Sequence, residues 1–320
     1  MPPCQSGAAA GTFIGMLLEG VYVPVVMPLD DQHELDLAGY ARVIEFCLDA
    51  GVTGIVSGGT TGEYYAHTFD ERVEALTIAR NVVEAVRERG RRLDPQAPGA
   101  QLVAGCNAGS TREASRLAVA ARDLGYDALM LAAPATSLPS QRELAAHFTA
   151  VADAAGLPTI LYNYPARAGV EIGYECLDLL ADHPGIVAIK ESSGDFSRFL
   201  QLRSRYAGRI TVMCGSDDQA VDYFFWGVRA WLAGTANVLP EHHVAVVEAA
   251  NSGDHGKARE LFDAFLPFVQ NMESGSYNKK AKLGLGHRGI PCGPVRMPLG
   301  PLDDDTAAEF LATLDAALSR

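Results

Sequence analysis

No stretch of this 320-residue chain approaches the roughly 18 consecutive apolar residues of a membrane span, so no membrane-embedded role is expected. Blocks of basic residues are missing as well. The 26 Lys and Arg are outnumbered by 39 Asp and Glu, the formal net charge is −13, and no nucleic-acid footprint is expected. Six cysteines occur, but never as a Cys-x-x-Cys pair or beside a His-rich spacing, which argues for reduced core residues over disulfides or zinc ligands. The first residues, to about Gly20, hold a short apolar stretch without a basic leader and read as an N-terminal extension, not a signal peptide. A cytoplasmic protein fits these absences. An acidic chain meets an anionic substrate only through local cations and helix N-termini, which directs attention to single arginines.

What is present is ordinary globular material, 48% hydrophobic and 20% charged. Short apolar runs lie at Val21–Met27, Gly54–Ser57, Leu102–Gly105, Ala128–Leu131, Thr159–Tyr162, Ile186–Lys190, Thr211–Cys214 and Ala230–Ala233. Amphipathic patterns alternate with them at Leu37–Ala50, Asp70–Arg89, Thr111–Leu124, Arg142–Ala155, Tyr174–His183, Phe196–Arg205, Gln219–Gly227 and His242–Asn251. Eight strand-helix units in series predict an α/β fold, a (β/α)₈ barrel over residues 20–252. A doubly wound open sheet is disfavoured by the count and by the lack of a Gly-x-Gly-x-x-Gly turn. Residues 1–19 precede the barrel. Residues 253–320 are read as a C-terminal helical extension, with helices near Gly256–Glu273 and Asp305–Leu318 around a Gly/Pro-rich stretch, Gly284–Pro301.

In such a barrel the chemistry sits at the C-terminal ends of the strands. The sixth run ends in Lys190, an amine that needs an acidic partner, an open cleft or a lowered pKa. A lowered pKa makes it a candidate imine-forming nucleophile; the plain alternative is a strand-end lysine reaching solvent or pairing with Glu191. After the second run, Gly58-Gly59-Thr60-Thr61-Gly62-Glu63 offers close backbone approach, N–H groups and two hydroxyls for a carboxylate, or is an ordinary glycine-rich turn. After the fifth, Tyr162 is a candidate proton shuttle and Arg167 a candidate carboxylate clamp, against a core-capping tyrosine and a surface arginine.

Taken together, Gly59-Thr60-Thr61-Gly62-Glu63, Tyr162-Asn163-Tyr164-Pro165, Ile189-Lys190-Glu191-Ser192-Ser193-Gly194-Asp195 and Gly234-Thr235-Ala236-Asn237 resemble the dihydrodipicolinate synthase / N-acetylneuraminate lyase family of Schiff-base lyases. The resemblance runs from about Gly20 to the C-terminus. It implies that Lys190 forms an imine with pyruvate or a related 2-oxo acid, with no other cofactor and no metal. It implies that Thr60 and Thr61 hold the substrate carboxylate, Tyr162 moves protons, and Gly215 and Leu232 line the pocket. Asn107, Ser137 and Tyr164 are further specificity candidates. The synthase subgroup carries a relay tyrosine where this chain has Thr136, while Arg167 matches the arginine that subgroup uses for its second substrate. An aldolase or dehydratase acting on a 2-oxo acid is therefore expected, with 4-hydroxy-tetrahydrodipicolinate synthase as the alternative. From a different class, a non-catalytic barrel binding a carboxylate ligand is disfavoured by Lys190, Tyr162 and the threonine loop together. A metal-dependent aldolase is disfavoured because His67, His147, His183, His242 and His243 fall mainly in helical segments. The resemblance also implies a homotetramer or homodimer.

Overall fold

The computed structural model describes residues 18–93 and 99–320, so most of the N-terminal extension, with Cys4, lies outside the described residues. Eight parallel strands close a barrel in chain order: β1 (Gly20–Pro24), β2 (Gly54–Ser57), β3 (Gln101–Gly105), β4 (Ala128–Ala132), β5 (Thr159–Asn163), β6 (Ile186–Glu191), β7 (Thr211–Cys214) and β8 (Ala230–Leu232). Each is followed by a helix: α1 (Leu37–Asp49), α2 (Phe69–Leu93), α3 (Thr111–Asp123), α4 (Gln141–Ala155), α5 (Tyr174–Leu180), α6 (Phe196–Arg205), α7 (Ala220–Phe225) and α8 (Pro240–Asn251). Three more helices follow: α9 (His255–Glu273), α10 (Tyr277–His287) and α11 (Asp304–Leu318).

Strand alternation divides the apolar residues between two cores. Tyr22, Val56, Val103, Met130, Ile160, Met213 and Leu232 fill the barrel interior. Their neighbours, among them Val23, Ile55, Leu102, Leu131, Leu161 and Ile189, pack outward against the helices. Each such side chain, fully buried, contributes roughly 1.5–3 kcal/mol. Cys47, Cys106, Cys176, Cys214 and Cys292 are buried free thiols, and burial pushes the Cys106 thiol up to about 12.

Several helices begin where the sequence carries a capping side chain. Asp36, Ser110, Asp195, Asp254 and Asp303 each accept a hydrogen bond from the third residue beyond, and Ser140 with Glu143 completes a capping box. Three of the differences from expectation have a visible cause or consequence. β1 stops at Pro24, which has no N–H for the ladder, and the Val26 N–H goes to Asn237 Oδ1 at 3.0 Å. The pattern expected at Gln219–Gly227 is a 3₁₀ turn, Asp217–Gln219, leading into a shorter α7. Helix α10 occupies residues with no expected element and part of the Gly/Pro-rich stretch; its start, Ser276, has a left-handed φ of 54° and makes no capping bond.

Candidate active site

Tyr162 and Lys190 are paired neighbours on β5 and β6. The two-residue period turns both inward, and the Lys190 Nζ stands 4.5 Å from the centroid of the Tyr162 ring. The same period turns Glu191 outward, so the expected alternative of a Lys190–Glu191 pair is not what forms. Glu191 is fully buried on the other side of β6 and accepts from Arg198 Nε (3.0 Å), Asn163 Nδ2 (3.0 Å) and the Ser193 N–H (2.8 Å). Among the described residues no hydrogen bond engages the Lys190 amine, which is only 6% exposed. Loss of hydration lowers its pKa below the ordinary lysine value, opposed first by the carboxylates of Asp217 and Glu273. Burial raises the pKa of the Tyr162 phenol, a shift opposed first by the Arg167 guanidinium.

Gly215 is required by the lysine itself: a Cβ there would stand 2.6 Å from Lys190 Cγ and 2.1 Å from Ser192 Oγ. The threonine loop is held from behind by the C-terminal helices. Gly58 takes φ of 80°, with the Gly105 carbonyl 3.0 Å from where its Cβ would be. At the loop's end Glu63, fully buried, lies 2.7 Å from Lys282 Nζ of α10 and accepts the Arg296 N–H at 2.9 Å. Asn278 of the same helix donates to the Thr60 carbonyl at 3.1 Å.

These elements enclose a cavity of about 360 Å³ at the C-terminal mouth of the barrel. Thr60, Thr61, Tyr162, Tyr164, Arg167, Lys190 and Gly215 all line it. Other sequence candidates lie outside the lining. Gly59 packs behind the loop, where a Cβ would meet Pro24 and Met130. Leu232 belongs to the apolar barrel interior. Thr136 is exposed with φ of 72°, its hydroxyl bonded to the Ala135 carbonyl, and Ser137 is exposed beside it. Asn107 is buried and accepts the Ala132 N–H at 2.7 Å.

Among the lining residues that escaped the sequence reading are Asp217, Glu273, Tyr277 and Asn278. Asp217 follows β7 and was open to the same strand-end rule that found Lys190. Nothing local marks the other three, which come from the end of α9 and the start of α10. Glu273, at the exposed rim, has its carboxyl pushed up by lost hydration and then by Asp217 and Asp218. Among the described residues no three His, Cys, Asp or Glu side chains gather as a metal would need.

A buried amine with no ion pair or hydrogen bond among the described residues, a phenol beside it, a cavity with Arg167 at its wall and a hydroxyl-bearing loop suit covalent chemistry on a carboxylate-bearing carbonyl compound. Comparison with known proteins agrees. The chain is 37% identical over 290 residues to 4-hydroxy-tetrahydrodipicolinate synthase 1 of Streptomyces coelicolor, covering 90% of each chain. It is 34% identical over 299 residues to the 4-hydroxy-tetrahydrodipicolinate synthase of an Exiguobacterium species, covering 93% of this chain and 98% of that one. The structure superposes on the chloride-inhibited dihydrodipicolinate synthase of Acinetobacter baumannii complexed with pyruvate, with a TM-score of 0.86, 29% identity and coverage of 94% and 99%. The dihydrodipicolinate synthetase family model matches residues 17–317, and the chain belongs to that family of lyase-type enzymes.

Proposed function

We propose that this protein is a Schiff-base lyase that makes or breaks a carbon–carbon bond, or dehydrates a 2-keto-3-deoxy acid, on pyruvate or a related 2-oxo acid. The observation that carries the reading is the buried Lys190 amine, without a hydrogen-bond partner among the described residues and lowered in pKa beside Tyr162. The neutral amine attacks the ketone carbon, Tyr162 passes a proton to the carbinolamine oxygen, and water leaves. The resulting iminium takes the electron pair of a neighbouring C–H or C–C bond, giving an enamine. The electron sink is therefore the lysine imine, with no other cofactor. Thr60 and Thr61 receive the carboxylate of the 2-oxo acid, while Gly215 leaves room for the lysine. Leu232 supports the pocket floor.

A second reading, 4-hydroxy-tetrahydrodipicolinate synthase acting on pyruvate and aspartate semialdehyde, is favoured by the names of the relatives and by Arg167 in the cavity wall. Thr136 weighs against it, its hydroxyl lying outside the cavity of its own chain. The protein is inferred to act in the cytoplasm as a homotetramer or homodimer; no described helix is long and apolar enough to cross a membrane. The test is pyruvate consumption with aspartate semialdehyde and with glyceraldehyde, in wild type and Lys190→Arg. Consumption that Lys190→Arg abolishes supports the lyase, and the preferred aldehyde chooses between the two readings. Pyruvate binding without consumption, kept in Lys190→Arg, would instead indicate a carboxylate-binding barrel.

A further inference from the structure

One wall of the cavity carries a hydrogen-bond chain for which the imine mechanism has no role. Tyr277 Oη donates to Asp217 Oδ2 at 2.6 Å. Asp217 Oδ1 accepts from Trp231 Nε1 at 2.9 Å, and Oδ2 accepts the Thr235 N–H at 3.2 Å. Thr235 Oγ1 stands 3.0 Å from Oδ2 and 2.7 Å from His243 Nε2, and His243 Nδ1 is 2.7 Å from the Leu239 carbonyl. Asp217 and His243 are 2% and 0% exposed, so among the described residues these are the contacts that satisfy them.

The hydrogen-bond chain holds fewer protons than it has contacts. The Leu239 carbonyl only accepts, so His243 Nδ1 carries a proton. His243 Nε2 and Asp217 Oδ2 then both require the single hydroxyl proton of Thr235. With Asp217 ionised and His243 neutral, three contacts share two protons. One further proton, on Asp217 or on His243, completes them all. Burial lowers the His243 pKa to about 4, which keeps the resting imidazole neutral and the vacancy open.

We propose that Tyr277 is a catalytic residue of the carbon–carbon step and that Asp217, Thr235 and His243 behind it store the proton it passes. This rests on the Lys190 imine reading. In the cleavage direction the bound adduct is the imine of a 4-hydroxy-2-oxo acid. The C3–C4 bond breaks, and its electron pair moves onto the iminium to leave the enamine. The C4 hydroxyl becomes the carbonyl of the departing aldehyde. Its proton goes to Tyr277 Oη as the tyrosine's own proton moves to Asp217 Oδ2, and Thr235 turns its hydroxyl to His243. Condensation runs the same transfers backwards, returning the stored proton to the new hydroxyl. Because the Tyr277 proton is committed to Asp217, its oxygen presents lone pairs for the C4 hydroxyl to donate to. The chain thus supplies, from within one subunit, a phenol for a site in which Thr136 stands in place of a relay tyrosine. Gly234 makes room for it, since a Cβ there would lie 2.4 Å from Tyr277 Oη.

Three stages separate this role from that of the imine. Borohydride trapping of pyruvate reads imine formation, deuterium exchange into the pyruvate methyl group reads enamine formation, and condensation with aspartate semialdehyde or glyceraldehyde reads bond making. Tyr277→Phe is expected to keep trapping, and exchange to within about threefold, while kcat for condensation falls about 100-fold with little change in the aldehyde KM; Asp217→Asn, compared on the high-pH plateau of its own shifted trapping profile, is expected to lose condensation to the same extent. Condensation kept within about threefold in Tyr277→Phe, or exchange falling as far as condensation, overturns the proposal. A pyruvate adduct in wild type without condensation of either aldehyde leaves the imine reading standing and overturns the relay. No adduct in wild type overturns both.

Discussion

Lys282→Met leaves the carboxylate of Glu63 in the interior without its cation. Glu63 is 0% and Lys282 3% exposed, and their charged atoms are 2.7 Å apart. Burial lowers the Lys282 pKa, and Glu63 opposes that shift, so each charge depends on the other. Breaking a buried pair by removing one partner costs about 3–5 kcal/mol, most of it the stranded charge, whereas removing both charges together is often nearly neutral. For a chain of 320 residues a loss of that order lowers the melting temperature by roughly 5–7 °C. The assay is a cycle of wild type, Lys282→Met, Glu63→Gln and the double variant, followed by thermal and urea unfolding. The double variant should recover at least about half of the loss in Lys282→Met, with the Arg296 N–H still donating to residue 63. Because Glu63 ends the loop that carries Thr60 and Thr61, Lys282→Met should also weaken pyruvate binding. A loss under about 1 kcal/mol, or a double variant as unstable as the single one, would refute this account of the loop.

The rate of imine trapping should rise with pH, with a midpoint below the ordinary lysine value, because burial favours the neutral Lys190 amine. Asp217→Asn removes the carboxylate that opposes the shift, so the midpoint should move to still lower pH; an unchanged or higher midpoint in the trapping profile would contradict it. His147 has its pKa lowered to about 4 by burial, and its Nε2 has no partner among the described residues. The unfolded chain binds this proton near pH 6.5, so stability should fall as pH drops from there towards 4. Melting curves at pH 7.5 and 5 should show that loss, and His147→Asn should reduce it. Arg167→Ala should lower kcat/KM for a carboxylate-bearing aldehyde by at least about tenfold while leaving pyruvate trapping intact; equal effects on both would move Arg167 to the pyruvate subsite.

The barrel was legible because short continuous apolar runs, as strands buried on both faces require, alternate with amphipathic stretches along the chain. The run Ile186–Lys190 alternates so that Ile189 packs outward and Lys190 inward, and the caps at Asp36, Ser140 and Asp195 mark helix starts in the sequence itself. Lys190, Tyr162, Arg167 and the Thr60-Thr61 pair could be placed at the cavity from the sequence because a strand end in a barrel points at the mouth whatever the rest of the chain does. The C-terminal side of the site was not legible. Helix α10 contains Gly284 and Gly286, which read as breakers. Gly284 is there because Val238 and Phe310 come within about 3 Å of where a Cβ would be, a packing fact with no local trace. On the same helix Lys282 is buried against Glu63 and Lys280 donates to the Asn271 carbonyl. Tyr277 and Asn278 reach the cavity only through that unforeseen helix, and long-range contacts of this kind leave no periodicity to read.

The proposed chemistry depends on a covalent imine between Lys190 and a 2-oxo acid. The chain favours a clean test: it has five lysines, and Lys190 is separated from the next, Lys257, by 66 residues. Incubation with pyruvate and borohydride followed by peptide mass spectrometry should place a reduced pyruvyl adduct on the Lys190 peptide, and Lys190→Ala should abolish it. Folded wild-type protein that gives no adduct with pyruvate or with other 2-oxo acids, or one that carries the adduct at random on Lys257, Lys279, Lys280 and Lys282, would contradict the mechanism.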